Sequence, residues 1–547
     1  MLLGKYKIST SQCEVIALSE YAECSVLGRY WRTANRTLLS MDSSVLFAVR
    51  ETAKMSELVV EVGEGKIKGL VAKNIDGGEY LAFRGIPYAE PPIGNLRFKD
   101  PRPPQAWSGV RDAGNVFPKG VQYDITSGVQ SGSEDCLYLN VATNSLLGKR
   151  PVMVWIHGGA FNSGSPTSDF HGPDYLLKHD IIFVGITYRL GCFGFLNLDL
   201  PDASGNQALK DQVAGLRWVR ENIGAFGGDP ENVTIFGQST GGACVHLLTL
   251  SPLAKGSRYS IYAIPRIPSN GRICFTGLFH KAIIQSGLAT NPWAIDPEPV
   301  KTGLKLAEEA KKKTNDPSEA LKYLMTLSTI ELIEDVFHLI ISFTPSVDAK
   351  SNEPFMPESP IETIMKHGID VPVIIGFTSE EGIVTMLGPK GPAVREINRN
   401  FASNLARSLR IRDVDRLANV ADAVKNYYFG EYMVCIAENK NDYAHLKGDF
   451  QLHLKNITVL TIDCALDVMP KFRKSRNVAL NLKNQKNLFD TGTSHCDELN
   501  AIFHSNLMMR NTAHQKGTTD RLVMERMTRM WTDFAKTGYD FDPPVKF

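Results

Sequence analysis

The 547-residue chain contains no run of 18 or more apolar residues, so it offers no candidate membrane span. Its opening residues, M-L-L-G-K-Y-K-I-S-T-S-Q, hold no sustained apolar stretch either. That argues against a secretory signal and makes a cytoplasmic location the expectation, with secretion the alternative if the true N-terminus differs. Blocks of one charge are also missing: 60 basic residues stand against 59 acidic ones, the formal net charge is +1, and the longest basic run is Lys311 to Lys313. Neither nucleic acid nor an acidic membrane is therefore an expected partner. Cysteine is scarce and unpatterned. The nine cysteines are an odd number without C-x-x-C or Cys/His spacing, so neither a metal site nor a disulfide framework is read and reduced thiols fit best. No motif calls for a cofactor.

Apolar residues make up 43% of the chain, enough for a large core. Residues 1–54 are polar and irregular, and read as a disordered leader or an artefact of gene prediction. From Met55 onward the pattern becomes that of a single catalytic domain, 55–547, beginning with a hairpin that turns at Gly63 and Gly65. Residues 80–98 are rich in glycine and proline and read as an ordered loop. Residues 257–276 carry Pro265, Pro268 and Gly271 without any period, and read as an insertion or as translated intron. A helical lid or accessory region is expected at about residues 300–345, interrupted at Asp316-Pro317. Residues 459–473 are poorly patterned, and the segment 463–489 shows no clear strand.

Three strands and two glycine loops carry the chemistry. Val233 to Phe236 is β-branched and aromatic, a buried strand, and it runs into G-Q-S-T-G-G. Gly237, Ser239 and Gly241 have the G-x-S-x-G spacing of a nucleophile elbow, and the apolar continuation reads as a helix. The nearly all-apolar strand at 151–157 leads into H-G-G-A-F, whose Gly158 and Gly159 can aim successive N–H groups inward as an oxyanion hole requires. A third apolar strand, 371–377, ends in T-S-E-E-G, placing a carboxylate where open α/β sheets keep their sites. An amphipathic helix at 206–224, capped at Gly224, and a closing helix at 521–534 complete an α/β order with a mostly parallel central sheet covered by helices on both faces.

Ser239, an acid near residue 380 and a later histidine stand in the order Ser, acid, His found in α/β-hydrolases. Five histidines follow the acid: His445, His453, His495, His504 and His514. The glycine-led loop G-T-S-H-C-D-E-L favours His495, which would take the Ser239 proton as the serine attacks an acyl carbon.

The motifs F-R-G-I-P-Y-A-E-P-P, E-D-C-L-Y-L-N-V, H-G-G-A-F, D-Q-V-A-G-L-R-W-V, G-Q-S-T-G-G and G-T-S-H-C-D-E-L together resemble the type-B carboxylesterases, the cholinesterase-like group. Within that group the chain looks most like insect esterases of the alpha-esterase or juvenile-hormone-esterase kind. The resemblance implies an α/β-hydrolase fold and a serine carboxylic-ester hydrolase working through an acyl-enzyme on apolar, xenobiotic or lipid esters. It implies Ser239 as nucleophile, Glu381 rather than Glu380 as acid, and His495 as base. It further implies an oxyanion hole from the N–H groups of Gly158, Gly159 and Thr240, support of the acid region by Ser286, and an ion pair between Arg84 and Glu134. Gln238 replaces the glutamate of many relatives and resembles the juvenile hormone esterases. Thr240 replaces the usual alanine, and its side chain is expected to crowd the hole. The upstream cysteine that pairs with Cys136 in relatives is missing around residues 118–124, so Cys136 is expected to be a free thiol. Thr126 stands near the place of a choline-binding tryptophan, which makes acetylcholine a poor substrate. A juvenile-hormone-esterase-like hydrolase and a non-catalytic, neuroligin-like interaction protein are the alternatives. The expected partner is a small ester, as a monomer or homodimer.

Overall fold

The computed structural model describes residues 58–115, 117–123, 129–255, 277–338, 343–378, 413–429, 476–477, 495–496, 498–505 and 517–538. Two units are distinguished, Met1–Leu58 and Val59–Phe547. Only Leu58 of the first is described, so the expected leader lies outside the described residues and the fold is that of the second unit.

Nine strands form the central sheet of the described residues. In chain order they are β1 (Leu70–Lys73), β2 (Glu79–Pro87), β3 (Tyr138–Thr143), β4 (Arg150–Ile156), β5 (Ile182–Ile186), β6 (Gly228–Gln238), β7 (Lys281–Gln285), β8 (Val373–Gly376) and β9 (Arg476–Asn477). Across the sheet they lie in the order β9-β8-β7-β6-β4-β5-β3-β2-β1. Strands β9 through β5 are parallel, while β3, β2 and β1 extend the sheet antiparallel. β4 is central, with Val154 opposite Val184 of β5 and Ile235 of β6. Its two faces point into different layers, as the period of two requires. Met153 and Trp155 join the cluster under the closing helix, and Trp155 meets the rings of Phe236 at 4.9 Å and Phe503 at 4.6 Å.

Helices cover both faces. α1 (Gln207–Asn222) lies on the side of Ile186, close enough that a side chain on Gly215 would meet Ile186 Cδ1 at 2.8 Å. α2 (Thr240–Leu250) is buried along its whole length. The accessory region consists of α3 (Pro299–Glu309), α4 (Pro317–Leu324) and α5 (Thr329–His338). Asp316 caps α4 by accepting from Ser318 N, with Pro317 in the first turn, so the expected interruption is a helix start. The closing helix α6 (Thr519–Thr537) buries Met527, Trp531 and Phe534 at helical spacing against the opposite face from α1. No described helix is long and apolar enough to cross a membrane.

Several expectations are corrected. Half of the anticipated loop at 80–98 is the nine-residue strand β2, whose pairing with β3 shifts register between Phe83 and Ile86. Gly85, at φ 67°, sits in that irregularity, so the glycine marks a bulge and not the end of a strand. α1 is less amphipathic than its pattern: Lys210, Asp211 and Gln212 are buried, and Asp211 receives Arg189 through Nε at 2.8 Å and Nη2 at 2.6 Å. It also runs past Gly224 in a short 3-10 turn and stops at Gly227, in the left-handed region at φ 78°. Glu134 pairs with Arg97, not Arg84, because Arg97 reaches both carboxylate oxygens at 2.8 and 2.5 Å while Arg84 turns toward Tyr80. Cys136 is a buried free thiol, as expected. Within 463–489, where no clear strand is expected, Arg476–Asn477 form β9 beside β8. Residues 257–276 lie outside the described residues, but the chain on either side closes on itself, Leu278 N donating to Ala254 O at 2.9 Å.

Candidate active site

The order of the sheet creates a crevice. β4 connects onward to β5 on one side and β6 to β7 on the other, so the carboxyl ends of β4 and β6 open beside each other without a covering crossover. Ser239 stands there, between the end of β6 and the start of α2, at φ 59° and ψ −126°. A serine in that conformation costs about 1–3 kcal/mol and persists only where its surroundings fix it. They do: its N–H donates to Gln285 O at 2.8 Å, and its carbonyl accepts from Ala243 N at 3.0 Å. Gly241 permits the turn, since a Cβ there would lie 2.2 Å from Ile156 O. The partly exposed serine thus sits at a helix N-terminus, where unpaired N–H groups favour an anion.

Gly158 and Gly159 follow β4 directly. Gly159 has φ 123°, and a Cβ on Gly158 would come within 3.1 Å of Ser239 Cβ, so the loop passes against the nucleophile. Among the described residues the N–H groups of Gly158, Gly159 and Thr240 donate no hydrogen bond. The loop is stiffened from behind. Asn162 N and Ser163 N donate to Gly159 O at 3.0 and 2.9 Å, and Ala160 and Phe161 both hold positive φ, 54° and 61°. Fully buried His157 stacks on Tyr188 at 4.3 Å, and the Tyr188 hydroxyl donates to His157 O at 2.6 Å. Burial lowers the His157 pKa to about 4, so this ring stays neutral and structural. The Thr240 side chain, expected to crowd the hole, reaches instead to the far end of the loop, where its Oγ1 accepts from Phe161 N at 3.4 Å.

His495 and Cys496 form a turn at this same place. Buried Gln238, directly before Ser239, lies with Nε2 3.2 Å from His495 Nε2 and accepts at Oε1 from the Cys496 thiol at 3.3 Å. The structure thus brings His495 to the elbow through Gln238. Ser286 follows β7 at φ 54°, buried, and its N–H donates to Gly376 O at the end of β8 at 2.8 Å. Its Oγ has no partner among the described residues. Glu380 and Glu381 lie outside the described residues, as do His445, His453, His514 and Thr126. His504 pairs with Gly172 in an antiparallel bridge. Sequence reasoning missed Cys496, and the available signal was its position next to the histidine in G-T-S-H-C-D-E-L.

Known proteins are similar to this chain over most of its length. The family described as Carboxylesterase family matches residues 56–544. The chain is 32% identical to the juvenile hormone esterase of Tribolium castaneum over 520 residues, covering 87% of this chain and 82% of that protein. It is 31% identical to esterase FE4 of Myzus persicae over 508 residues, covering 88% and 84%. In structure it resembles the juvenile hormone esterase of Manduca sexta, solved with OTFP covalently attached, at a TM-score of 0.73 and 27% identity, covering 88% of this chain and 91% of the other.

Proposed function

The chain belongs to the carboxylesterase family, and from that premise we propose which of its residues open the ester bond. It is a serine hydrolase acting on carboxylic esters. Ser239 Oγ attacks the acyl carbon while His495 Nε2 takes its proton, and Glu381 orients the imidazole and stabilises its charged form. The carbonyl oxygen, now negative, is received by the N–H groups of Gly158, Gly159 and Thr240. Collapse breaks the bond to the alcohol, which leaves with the proton held by His495. Water, deprotonated by the same histidine, then releases the acid from Ser239.

The observation that carries this reading is the strained Ser239 turn with three unengaged N–H donors in the adjoining loop and helix start, and His495 in contact with the neighbouring Gln238. Phe161, with Phe195 at 5.1 Å and the half-exposed Trp293 at 6.4 Å, puts aromatic surface next to the oxyanion loop. That supports apolar acyl esters of xenobiotic or lipid type. A second reading, a juvenile-hormone-esterase-like substrate, is favoured by Gln238 and by the relatives bearing that name.

The test is hydrolysis of a short-chain aryl ester and labelling by an organophosphate, in the wild type and in Ser239→Ala. Burst kinetics and a covalent label at Ser239 are the expected results, both lost in the variant. Labelling and hydrolysis that persist unchanged in Ser239→Ala would overturn the assignment.

A further inference from the structure

The turn after β4 that carries oxyanion donors is closed on itself. Asn162 N and Ser163 N donate to Gly159 O, as the Ser163 hydroxyl does at 3.0 Å, so residues 159–163 move as one piece. Within it Ala160 and Phe161 hold positive φ without being glycine, a conformation that persists only where neighbours fix it. Most of the ties lead away from the nucleophile. Phe161 O accepts from Gly191 N at 2.8 Å, the Phe161 ring meets Phe195 edge-on at 5.1 Å, and just beyond the turn Gly164 N donates to Gln122 Oε1 at 2.8 Å. One tie leads to the elbow. The N–H of Phe161 donates to Thr240 Oγ1 at 3.4 Å, and among the described residues this is the hydrogen bond that joins the turn to the helix following Ser239. Phe161 and Thr240 are 1% and 4% exposed, so the contact is shut off from bulk water and an N–H released from it would lose its partner.

We propose that the Thr240 hydroxyl is a positioning group that sets the oxyanion turn in register with the elbow, so that the N–H of Thr240 and those of Gly158 and Gly159 converge on one point. The inference rests on the assignment of these three donors and deepens it. Thr240 opens α2, so its main chain is bound directly to Ser239, while its hydroxyl holds the turn through Phe161. One residue therefore carries both the third donor and the link to the other two. Donors in such a hole act when they lie about 2.7–3.1 Å from the developing oxyanion, a tolerance of a few tenths of an ångström. A turn that drifts from the elbow still admits the ester, whose neutral carbonyl asks little of these donors, but it stabilises the negative charge less. The loss then falls on kcat and not on KM.

The experiment measures kcat and KM on a short-chain aryl ester, and the inhibition constant of an aryl trifluoromethyl ketone, for the full-length wild type, Thr240→Val, Thr240→Ala and Thr240→Ser. Ser239 Oγ adds to the ketone carbon, its proton passes to His495, and the carbonyl oxygen becomes an alkoxide in the hole, so the inhibitor reports on the donors directly. Thr240→Val keeps the shape and removes the acceptor. Its kcat should fall about tenfold or more, part of the roughly 10²–10³ lost with a whole donor, while KM stays within about twofold and the ketone weakens by the same factor as kcat/KM. Thr240→Ala should move in the same direction. Thr240→Ser retains the hydroxyl and should stay within about threefold of the wild type on every measure. A change of packing alone would lower the thermal midpoint without this split between kcat and KM. A Thr240→Val enzyme with wild-type kcat, a fall in kcat that the ketone does not follow, or a Thr240→Ser enzyme as impaired as Thr240→Val would overturn the inference and leave the function untouched. Should Thr240→Val not fold, the Thr240→Ala and Thr240→Ser pair decides on the same readouts. Absence of organophosphate labelling in the wild type would instead remove the assignment of Ser239.

Discussion

Glu134 illustrates how much one side chain can organise. It receives Arg97 through two nitrogens and the Thr329 hydroxyl at 2.7 Å, while a third Arg97 nitrogen donates to Leu327 O at 2.7 Å. The pair therefore ties the start of α5 to the loop after β2. Both partners are nearly buried, at 12% and 10% exposure, so removing one leaves a poorly solvated charge. Arg97→Ala should destabilise the protein by about 3 kcal/mol, within the range for breaking a buried pair, whereas Arg84→Ala should change it far less. Urea denaturation midpoints of the two variants check this, and equal midpoints would contradict it. Both arginines flank the same G-I-P-Y-A-E-P-P stretch, and the sequence offered no means of choosing between them. The choice depends on the face from which Arg84 leaves β2 and on the path of the loop that carries Arg97, and neither is local in sequence. Gln238 is similar: its identity was legible, but its two partners lie 257 and 258 positions away.

Elements were most legible where local sterics leave little freedom. The strand, serine and helix of the elbow, the glycine loop after β4 and the strand β8 are short, apolar and bounded by small residues, and each forms where the pattern put it. Boundaries set by tertiary contacts were not legible. β2 passes through its glycine because β3 supplies ladder bonds on both sides of the bulge, and α1 outruns Gly224 because a further turn packs Ile223 and Phe226 into the core. The contrast between two helix-associated glycines makes this testable. Gly241→Ala would force a Cβ to 2.2 Å from Ile156 O, in the central strand, where nothing flexible can yield. It should abolish hydrolysis and leave little folded protein. At Gly224 a Cβ meets nothing within 4 Å and the residue has no positive φ, so Gly224→Ala should be neutral or stabilise by up to about 1 kcal/mol. Soluble yield, thermal midpoint and activity of both variants provide the measurement, and a Gly241→Ala enzyme of normal activity would refute the steric argument.

For the molecule as a whole, the family and the mostly parallel sheet were readable because six separate motifs each constrain a different strand, helix or loop of one architecture. Glu380 and Glu381, the acids read from the sequence, lie outside the described residues. Burial, too, is a property of the assembled molecule, and it yields a prediction that no motif contains. His157 and His246 are both fully buried, and desolvation lowers their pKa values to about 4 and about 3. His246 Nδ1 accepts from Ala289 N at 3.1 Å, which also opposes protonation. In the unfolded chain each histidine titrates near 6.5. Below that pH the unfolded state binds more protons than the folded one, so stability is complete above about pH 6.5 and declines as pH falls toward 4 and 3. At about 1.4 kcal/mol per pH unit for each group, the pair removes roughly 3 kcal/mol by pH 5.5 and about 5 by pH 4.5. Urea midpoints measured from pH 8 to pH 4.5 should be level at first and then fall. His246→Gln should flatten that fall by the share of one proton while leaving its onset near pH 6.5. A midpoint that holds steady down to pH 5 would mean that these two rings accept protons in the folded protein, contrary to their burial.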